Sequence, residues 1–424
     1  MERSFQVFAD WIELESPQLM GTLFETGKPG RSVLSFEYDE DWLRQPSAAY
    51  LDPDLQLFSG RKYPPQGKAF YGVFTDSAPD RWGRNLIRRR EALQARAEKR
   101  KPARLTEIDY LIGVNDFARS GALRFREKRS KQFMAPGGEQ AVPPWFRLRT
   151  LEEATRHFEE DESDESVDQW LKLLLAPGSS LGGARPKASV QGPDSRLWIA
   201  KFPSKNDAFD TGAWEMLVYN LAARCGLDTV ESRMERFSPR GTTFLTRRFD
   251  RTDDGGRIHF ASALTLLGKT DGVSAAEGSS YLELTEFIRR SGSRPKDDLY
   301  ELWSRIVFNI AVSNTDDHMR NHGFLLEQHG WHLSQVYDIN PDPEGYGLSL
   351  NISEDDNSLD FDLALSQAHH FYLTRDQAEK RLKEIVAEVQ QWRIFAEELG
   401  ISTSAITAME PAFHIVEERR ESKR

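Results

Sequence analysis

An acid and an amide five residues apart form the most chemically suggestive pair in the sequence. Asp316 and Asn321 lie in the segment SNTDDHMRNHGFLL, residues 313–326, between two apolar stretches. On a short loop, a carboxylate can accept the proton of an attacking hydroxyl, while an amide oxygen binds a metal ion on the phosphate side. The pattern D-x-x-x-x-N often arises by chance, so it carries weight only together with other residues.

A second acid further along the chain favours phosphoryl transfer. Protein kinases have the same Asp–Asn spacing in their catalytic loop, and a second magnesium-binding aspartate follows on a later strand. Here Asp338 ends the apolar segment WHLSQVYD, although it continues as D-I-N and not as D-F-G. In a kinase, residues at the positions of Asp316, Asn321 and Asp338 are the base and the two magnesium ligands. On the sequence alone, Asp338 could instead simply begin the turn D-I-N-P.

Residues near the middle of the chain could hold the phosphates of a nucleotide. Lys201 lies in the apolar strand pattern LWIAKFP, and Glu215 stands at the start of the next predicted helix. A kinase pairs such a lysine with such a glutamate. The preceding segment, Ser179 to Lys187, is rich in small residues that let backbone N–H groups approach phosphate oxygens. It matches neither common glycine-rich phosphate motif.

The histidines of the same loop permit a rival interpretation. Asp317, His318 and His322, together with other acids, could bind a transition metal for hydrolysis. Hydrolase ligands usually come from several separated strand ends, however. The order seen here, a small-residue loop, a strand lysine, a helix glutamate, D-x-x-x-x-N and a strand-end aspartate, is that of a kinase.

Periodicity predicts the elements that position these residues. Short β-rich pieces in the first third precede a basic helical segment from Asp80 onward. Two strands flank a turn at QGPDSR, and helices are predicted for residues 167–175, 214–224 and 299–312. The last of these places Leu302, Ile306 and Ile310 on one buried face. A capping box at Thr374 opens a helix of about 25 residues that Gly400 ends.

Composition limits the class of protein. At 424 residues and 39% hydrophobic residues the chain is expected to form at least two lobes, with a linker or insertion around residues 132–144 and an acidic segment at residues 159–166. The single cysteine, Cys225, and the absence of a signal-like N-terminus or a long apolar segment predict a cytoplasmic protein without membrane insertion. A net charge of -11 disfavours bulk binding of nucleic acid. The basic run from Arg81 to Arg104 is either a solvated helix face or a surface for an acidic partner.

These motifs together resemble the HipA toxin kinases of bacterial type II toxin–antitoxin modules. The resemblance rests on four segments in order: GSSLGGARPKA, FLTRRFDR, NTDDHMRNHGF and VYDINP. It extends to GVFTDSAPDRWGR and GALRF in the first third, so it covers nearly the whole chain. The resemblance implies an α+β, bilobal protein-kinase-like fold. The predicted parts are an N-terminal subdomain (1–130), an N-lobe (131–250) and a helical C-lobe with the catalytic loop (251–424).

The resemblance also implies roles for individual residues. Asp316 would be the catalytic base, Asn321 and Asp338 the magnesium ligands, and Glu215 a supporting residue. Ser180, or alternatively Ser179, would be the site of autophosphorylation. The residues that would contact ATP are Gly182, Gly183, Ala184, Arg185, Pro186, Lys187, Lys201, Arg247, Arg248, Phe249, Asp250, His318, Met319, Arg320, Asn321, Tyr337 and Asp338. Within this set, Arg247 to Phe249 would form the adenine hinge and Asp250 would bind the ribose.

The expected partners likewise follow from the resemblance. They are a helix-turn-helix antitoxin, operator DNA reached mainly through that antitoxin, and a translation component such as an aminoacyl-tRNA synthetase as the protein substrate. Two alternatives stay open on the sequence alone. One is a small-molecule kinase of the aminoglycoside or choline type, and the other is a silent kinase relative that acts as a co-repressor with a DNA-binding antitoxin.

Overall fold

The chain forms two compact units in a computed structural model. The first unit comprises Met1–Asp207 and Leu245–Ala261, and the second comprises Ala208–Phe244 and Ser262–Arg424. The structure describes residues 2–27, 32–45, 49–134, 142–160, 171, 173–174 and 183–421. The domain boundaries predicted at residues 130 and 250 stay a prediction.

Some sequence-based predictions fall outside the described residues. Ser179, Ser180 and Gly182 belong to this group. Most of the helix predicted for residues 167–175 and most of the acidic segment at residues 159–166 also belong to it.

An antiparallel sheet opens the first unit. Its strands are β1 (Glu2–Ala9), β2 (Gln18–Thr26), β3 (Val33–Tyr38) and β4 (Leu123–Glu127), in the order β3-β2-β1-β4. Phe5 and Val7 of β1 are buried and lie opposite Leu23 and Phe125, respectively, on two neighbouring strands. The sheet therefore buries the apolar pieces that the sequence predicts to be strands.

Helices of the first unit are α1 (Glu40–Leu43), α2 (Gly72–Asp76), α3 (Arg81–Ala97), α4 (Glu107–Ile112) and α5 (Leu148–Glu160). Helix α3 is the basic segment of the sequence, and it buries Trp82, Leu86 and Ile87 on one face. Part of its charge is matched within the unit, because Arg84 forms an ion pair with Glu107 at 2.5 Å. Asp80 caps the helix by accepting a hydrogen bond from the backbone N–H of Gly83 at 2.8 Å.

The predicted strand–turn–strand is a hairpin of β5 (Lys187–Gln191) and β6 (Leu197–Lys201). The backbone N–H of Gly192 donates to the carbonyl of Arg196 at 2.8 Å, which closes the turn. Strand β7 (Ser232–Ser238) precedes β8 (Gly241–Arg247), and β7 and Gly241 to Phe244 of β8 belong to the second unit. Of β8, Leu245 to Arg247 belong to the first unit.

The second unit is mostly helical. Its helices are α6 (Thr211–Arg224), α7 (Ala263–Leu266), α8 (Tyr281–Ser291), α9 (Pro295–Val312), α10 (Phe361–Gln367), α11 (Arg375–Val389), α12 (Trp392–Glu398), α13 (Thr403–Met409) and α14 (His414–Glu421). Strands β10 (Gly323–Glu327) and β11 (Gly330–Leu333) form an antiparallel hairpin. Strand β9 (Phe260–Ser262) has its first two residues in the first unit and Ser262 in the second.

Helix α9 is the core of the second unit and leads into the polar loop. Proline at its first position and Asp297 and Asp298 in its first turn are favourable at a helix N-terminus. Leu302, Ile306 and Ile310 are fully buried, as their spacing predicts. The packing of this buried helix therefore fixes the position of the first residues of the loop that follows it.

The helix predicted to run from Thr374 to Gly400 is interrupted. The capping box is present, with the N–H of Gln377 donating to the Thr374 hydroxyl and the N–H of Thr374 donating to the Gln377 side chain. The helix stops at Val389, however, and a new helix begins at Trp392, whose ring stacks on Phe413 at 4.1 Å. Packing of this tryptophan accompanies the break that periodicity alone does not reveal.

Within the part of the chain that the structure describes, every helix is too short or too polar to cross a membrane.

Candidate functional site

The loop that carries Asp316 begins with an unusual backbone turn. Helix α9 ends at Ser313, which has a left-handed conformation with φ 48° although it is not glycine. The backbone N–H of Asn314 still donates to the carbonyl of Asn309 at 2.9 Å. Left-handed backbone at a non-glycine residue costs energy and is frequent at functional sites. The loop then runs to β10, so both of its ends are fixed.

A buried carboxylate organises the loop. Asp317 is 3% exposed, and three donors converge on its Oδ2 atom. The Tyr281 hydroxyl donates at 2.6 Å, the Asn309 amide at 2.7 Å, and Nε2 of His322 lies at 2.9 Å. Burial by itself would raise the pKa of Asp317, but the charge and hydrogen bonds of these neighbours, His322 first, hold it below its usual value. Asp317 therefore stays ionised at neutral pH, and its buried hydrogen bonds tie the loop to the interior of the second unit.

These contacts bear on the rival metal-hydrolase interpretation. His322 and Asp317 contact each other, and both are almost fully buried. Among the residues that the structure describes, no group of three or more His, Cys, Asp and Glu side chains is arranged to hold a metal ion.

Sequence reasoning missed the residues that hold Asp317. Tyr281 opens α8 and lies 36 residues before it in the chain, and Asn309 lies on the buried face of α9. Asn309 also accepts a hydrogen bond from the Asn314 amide at 3.0 Å. A polar residue inside an apolar helix was the one available signal, because buried polar groups need partners.

We expect Asp317→Asn to destabilise the second unit by about 2–4 kcal/mol, because it removes a buried charge that three donors face. Thermal unfolding measures the loss. The matched control, Tyr281→Phe, removes one of the three hydrogen bonds and should cost about 1–1.5 kcal/mol.

The effect of Asp317→Asn should also depend on pH. Since the folded pKa of Asp317 is lowered, its contribution is present above the unfolded value near 4 and is lost as pH falls through the folded pKa. The stability difference from the wild-type chain should therefore shrink in acid. A constant difference from pH 7 to pH 3 would contradict the role of the charge.

Asp316, the predicted base, lies next to this buried group but points outward. Its side chain is exposed. The side-chain amide of Asn321 donates to the backbone carbonyl of Asp316 at 2.8 Å. The backbone N–H of Asn321 donates to the backbone carbonyl of His318, also at 2.8 Å. The two predicted residues are thus brought together by a tight turn. Because the side-chain N–H of Asn321 donates to the backbone of Asp316, its amide oxygen is the atom that would bind a cation.

Asp338 lies in a constrained segment after β11. It has φ 57°, a left-handed conformation that aspartate tolerates better than most residues. The Tyr337 hydroxyl donates to the carbonyl of Arg320 at 2.5 Å, and the N–H of Asn340 donates to the Asn314 side chain at 3.2 Å. Residues on both sides of Asp338 are therefore tied to the loop that carries Asp316.

The carboxylates of this region act on one another. The pKa of Asp316 is raised, first because neighbouring protein displaces water from it and further because Asp338, Asp317 and Asp342 repel its charge, while His318 opposes the shift. Asp342 is itself fixed by the Thr315 hydroxyl at 2.7 Å. Accumulated negative charge of this kind favours a cation.

The donor set fits a magnesium ion. Magnesium prefers carboxylate, amide and water oxygens, and it needs few protein ligands when phosphates supply the rest. Asp338 and the amide oxygen of Asn321 are the residues that would hold it. Nitrogen and sulfur donors, which select other metals, are absent from this pair.

In the first unit, the predicted phosphate-binding residues converge on the β5–β6 hairpin. Gly183, at φ 94°, packs so closely that a Cβ there would lie 2.7 Å from Nζ of Lys187. Lys187 and Lys201 are directly opposite each other on the two strands. Arg185 forms an ion pair with Asp207 at 2.8 Å, and Ala184 and Pro186 complete the described part of the segment. Two opposed ammonium groups repel each other, so the pair suits an anion.

The predicted hinge, Arg247 to Asp250, is held by buried ion pairs of the first unit. Arg248 contacts both carboxylate oxygens of Asp250 at 2.8 and 2.6 Å, and Oδ2 also accepts from Arg251 and from the N–H of Gly121, both at 2.8 Å. Burial opposes ionisation, but the arginines, Arg248 first, hold the pKa of Asp250 well below its usual value. These contacts give Asp250 a structural role in the first unit. Its contact with ribose stays a prediction.

Phe249 and Arg247 of the predicted hinge contact other residues of the first unit. The ring of Phe249 lies 5.9 Å from that of Phe260, and Arg247 forms a long ion pair with Asp253.

Glu215 is buried in α6 of the second unit, whereas Lys201 is in the first, so their pairing stays a prediction. In the second unit, Met319 is buried and Arg320 forms an ion pair with Asp271 at 2.8 Å.

Comparison with known proteins identifies the family. Residues 179–393 match the family model described as the HipA-like C-terminal domain, and residues 15–108 match the HipA N-terminal domain. The two matched regions occur in the order expected for one protein and include both candidate site regions. The chain therefore belongs to the HipA family.

One solved structure, that of a HipA protein, supports the fold, and a second is similar over part of this chain. HipA of Shewanella oneidensis MR-1, solved as a complex with HipB and operator DNA, has a TM-score of 0.68 at 15% identity, covering 98% of this chain and 97% of that one. The Helicobacter pylori proinflammatory kinase CtkA has a TM-score of 0.43 at 15% identity, covering 57% of this chain and 90% of that one. The predicted α+β, kinase-like fold of the HipA type is confirmed.

One curated relative is similar over part of its length. The protein named "Putative kinase Y4mE" from Sinorhizobium fredii is 33% identical over 151 residues. The match covers 33% of this chain and 33% of that relative.

Proposed function

We propose that this chain is an ATP- and magnesium-dependent serine/threonine-protein kinase that acts as the toxin of a toxin–antitoxin pair. The observation that carries the proposal is the loop of the second unit. It presents the exposed carboxylate of Asp316 on a base fixed by Asp317, with Asn321 and Asp338 tied to the same loop. Phosphoryl transfer needs this combination of an oriented base and metal-binding oxygens.

Each side chain then has a defined task. Asp316 orients the acceptor hydroxyl and takes its proton. The buried Asp317, held by Tyr281 and Asn309, fixes the position of the loop that carries Asp316. Asn321 and Asp338 hold magnesium, which when bound neutralises the charge of the phosphates. Lys187 and Lys201 supply positive charge to the phosphates from the hairpin of the first unit. Gly182, Ser179 and Ser180 stay in the proposal from sequence similarity alone.

The proposed partners follow from family membership. A helix-turn-helix antitoxin would bind this chain and operator DNA, because the Shewanella relative is described as a complex with HipB and its operator DNA. The net charge of -11 agrees with a chain that reaches DNA mainly through such a partner. The acceptor would be a protein of the translation machinery, such as an aminoacyl-tRNA synthetase.

Purification of the tagged chain from its native host, followed by incubation with Mg-ATP and host extract, tests the proposal. We expect a small helix-turn-helix protein to co-purify. We also expect mass spectrometry to find new phosphoserine or phosphothreonine on one host protein and on Ser180 of this chain. The Asp316→Asn chain, treated in the same way, is the matched control and should leave both marks absent.

Other outcomes identify the alternatives. Phosphate on an added aminoglycoside or choline, with none on protein, would indicate a small-molecule kinase. Co-purification of the helix-turn-helix protein without any phosphoryl transfer would indicate a silent relative that acts as a co-repressor. A mark on Ser179 and not on Ser180 would move the site of autophosphorylation by one residue.

A further inference from the structure

An acid of the first unit, outside the set of predicted site residues, faces a lysine at the phosphate-binding hairpin. Oδ2 of Asp80 lies 3.5 Å from Nζ of Lys187, and both side chains are more than nine-tenths buried. Asp80 Oδ2 is buried and makes no hydrogen bond of ordinary length. Its charge is therefore directed at the ammonium group of Lys187.

The position of Lys187 explains why a counter-charge is needed there. Lys187 and Lys201 are directly opposite residues of an antiparallel pair, so their side chains leave the sheet on the same face. Two ammonium groups so placed repel each other, and burial disfavours the charge further. A carboxylate close to Lys187 offsets this repulsion.

The same lysine is held by its main chain as well. The Trp82 indole N–H donates to the carbonyl oxygen of Lys187 at 3.0 Å. Trp82 and Asp80 stand at the start of helix α3, so the beginning of this helix contacts both the backbone and the ammonium group of Lys187. On the other side, Nζ of Lys187 lies against Gly183 of the proposed phosphate-binding segment.

We propose that Asp80 is a positioning residue that holds the ammonium group of Lys187 toward the phosphates of the nucleotide. This inference rests on the proposed function, because it needs Lys187 to meet phosphate. Asp80 would act only through Lys187 and would not itself touch the nucleotide. Its pKa, raised to about 6 by burial against the lowering effect of Lys187, still leaves it ionised at neutral pH. The N-terminal region thus contributes to nucleotide binding.

Asp80 has a second role that the experiment must separate from the first. Its Oδ1 caps helix α3 through the N–H of Gly83. Asparagine caps helices about as well as aspartate, so Asp80→Asn removes the charge and keeps the cap. Asp80→Ala removes both and serves as the control for loss of the cap.

The test compares binding of ATP with binding of adenosine by isothermal titration calorimetry. For Asp80→Asn we expect ATP to bind about tenfold more weakly, the size expected for one charge-assisted contact, while adenosine binds as it does to the wild-type chain. Helix capping cannot produce this difference, because a general loss of structure would weaken both ligands. Equal weakening of ATP and adenosine, or tighter binding of ATP, would overturn the proposal.

A double-mutant comparison with Lys187→Met shows whether Asp80 acts through the lysine. The double variant should bind ATP no more weakly than Lys187→Met alone. A further loss in the double variant would mean that Asp80 acts by another route. If the wild-type chain binds no ATP, the proposed function fails; if it does and Asp80→Asn binds equally well, only this inference fails.

Discussion

Asp316→Asn is expected to lower the rate of phosphoryl transfer about a thousandfold while ATP stays bound. The carboxylate is exposed, and partial loss of hydration, together with repulsion from Asp338, raises its pKa, which favours its taking a proton. Asparagine keeps the shape but cannot accept that proton. Transfer from labelled ATP to a protein acceptor measures the rate, and titration calorimetry measures ATP binding.

Asp342→Asn is the matched control for this variant. It removes one negative charge from the same cluster and leaves the carboxylate of Asp316 in place. We expect its transfer rate to fall less than tenfold, since an amide oxygen can still accept the hydrogen bond from Thr315. If both variants lost the same activity, general electrostatics and not a base at Asp316 would explain the effect.

The exposed part of the site could be predicted because it depends on short spacings. A loop that follows a buried helix and precedes a strand leaves little freedom over five residues, so Asp316 and Asn321 come together as their separation predicts. The strand pattern likewise placed Lys187 and Lys201 in one hairpin, although their exact opposition came only from the register. Local periodicity was sufficient for these features.

The supporting part of the site could not be predicted, because its contacts join distant segments. Asp317 takes a hydrogen bond from Tyr281, and Asp250 takes one from the backbone of Gly121, 129 residues earlier. Asp250 stands between Arg248 and Arg251 in the sequence, which gives no sign that both arginines contact its carboxylate. Buried polar partners are set by tertiary packing, and a single sequence carries no direct record of that packing.

Asp338→Asn is expected to abolish the magnesium dependence of ATP binding and to lower transfer at least a thousandfold, because it removes the one charged ligand of the proposed metal pair. Asparagine is the informative replacement, since the residue has φ 57° and asparagine tolerates left-handed backbone, whereas alanine would add strain. ATP titrations with and without magnesium measure the effect. Asp338→Gly accepts the same backbone and should match Asp338→Asn if the lost charge is the cause. Unchanged magnesium dependence in both variants would exclude Asp338 as a metal ligand and leave Asn321 without its predicted partner.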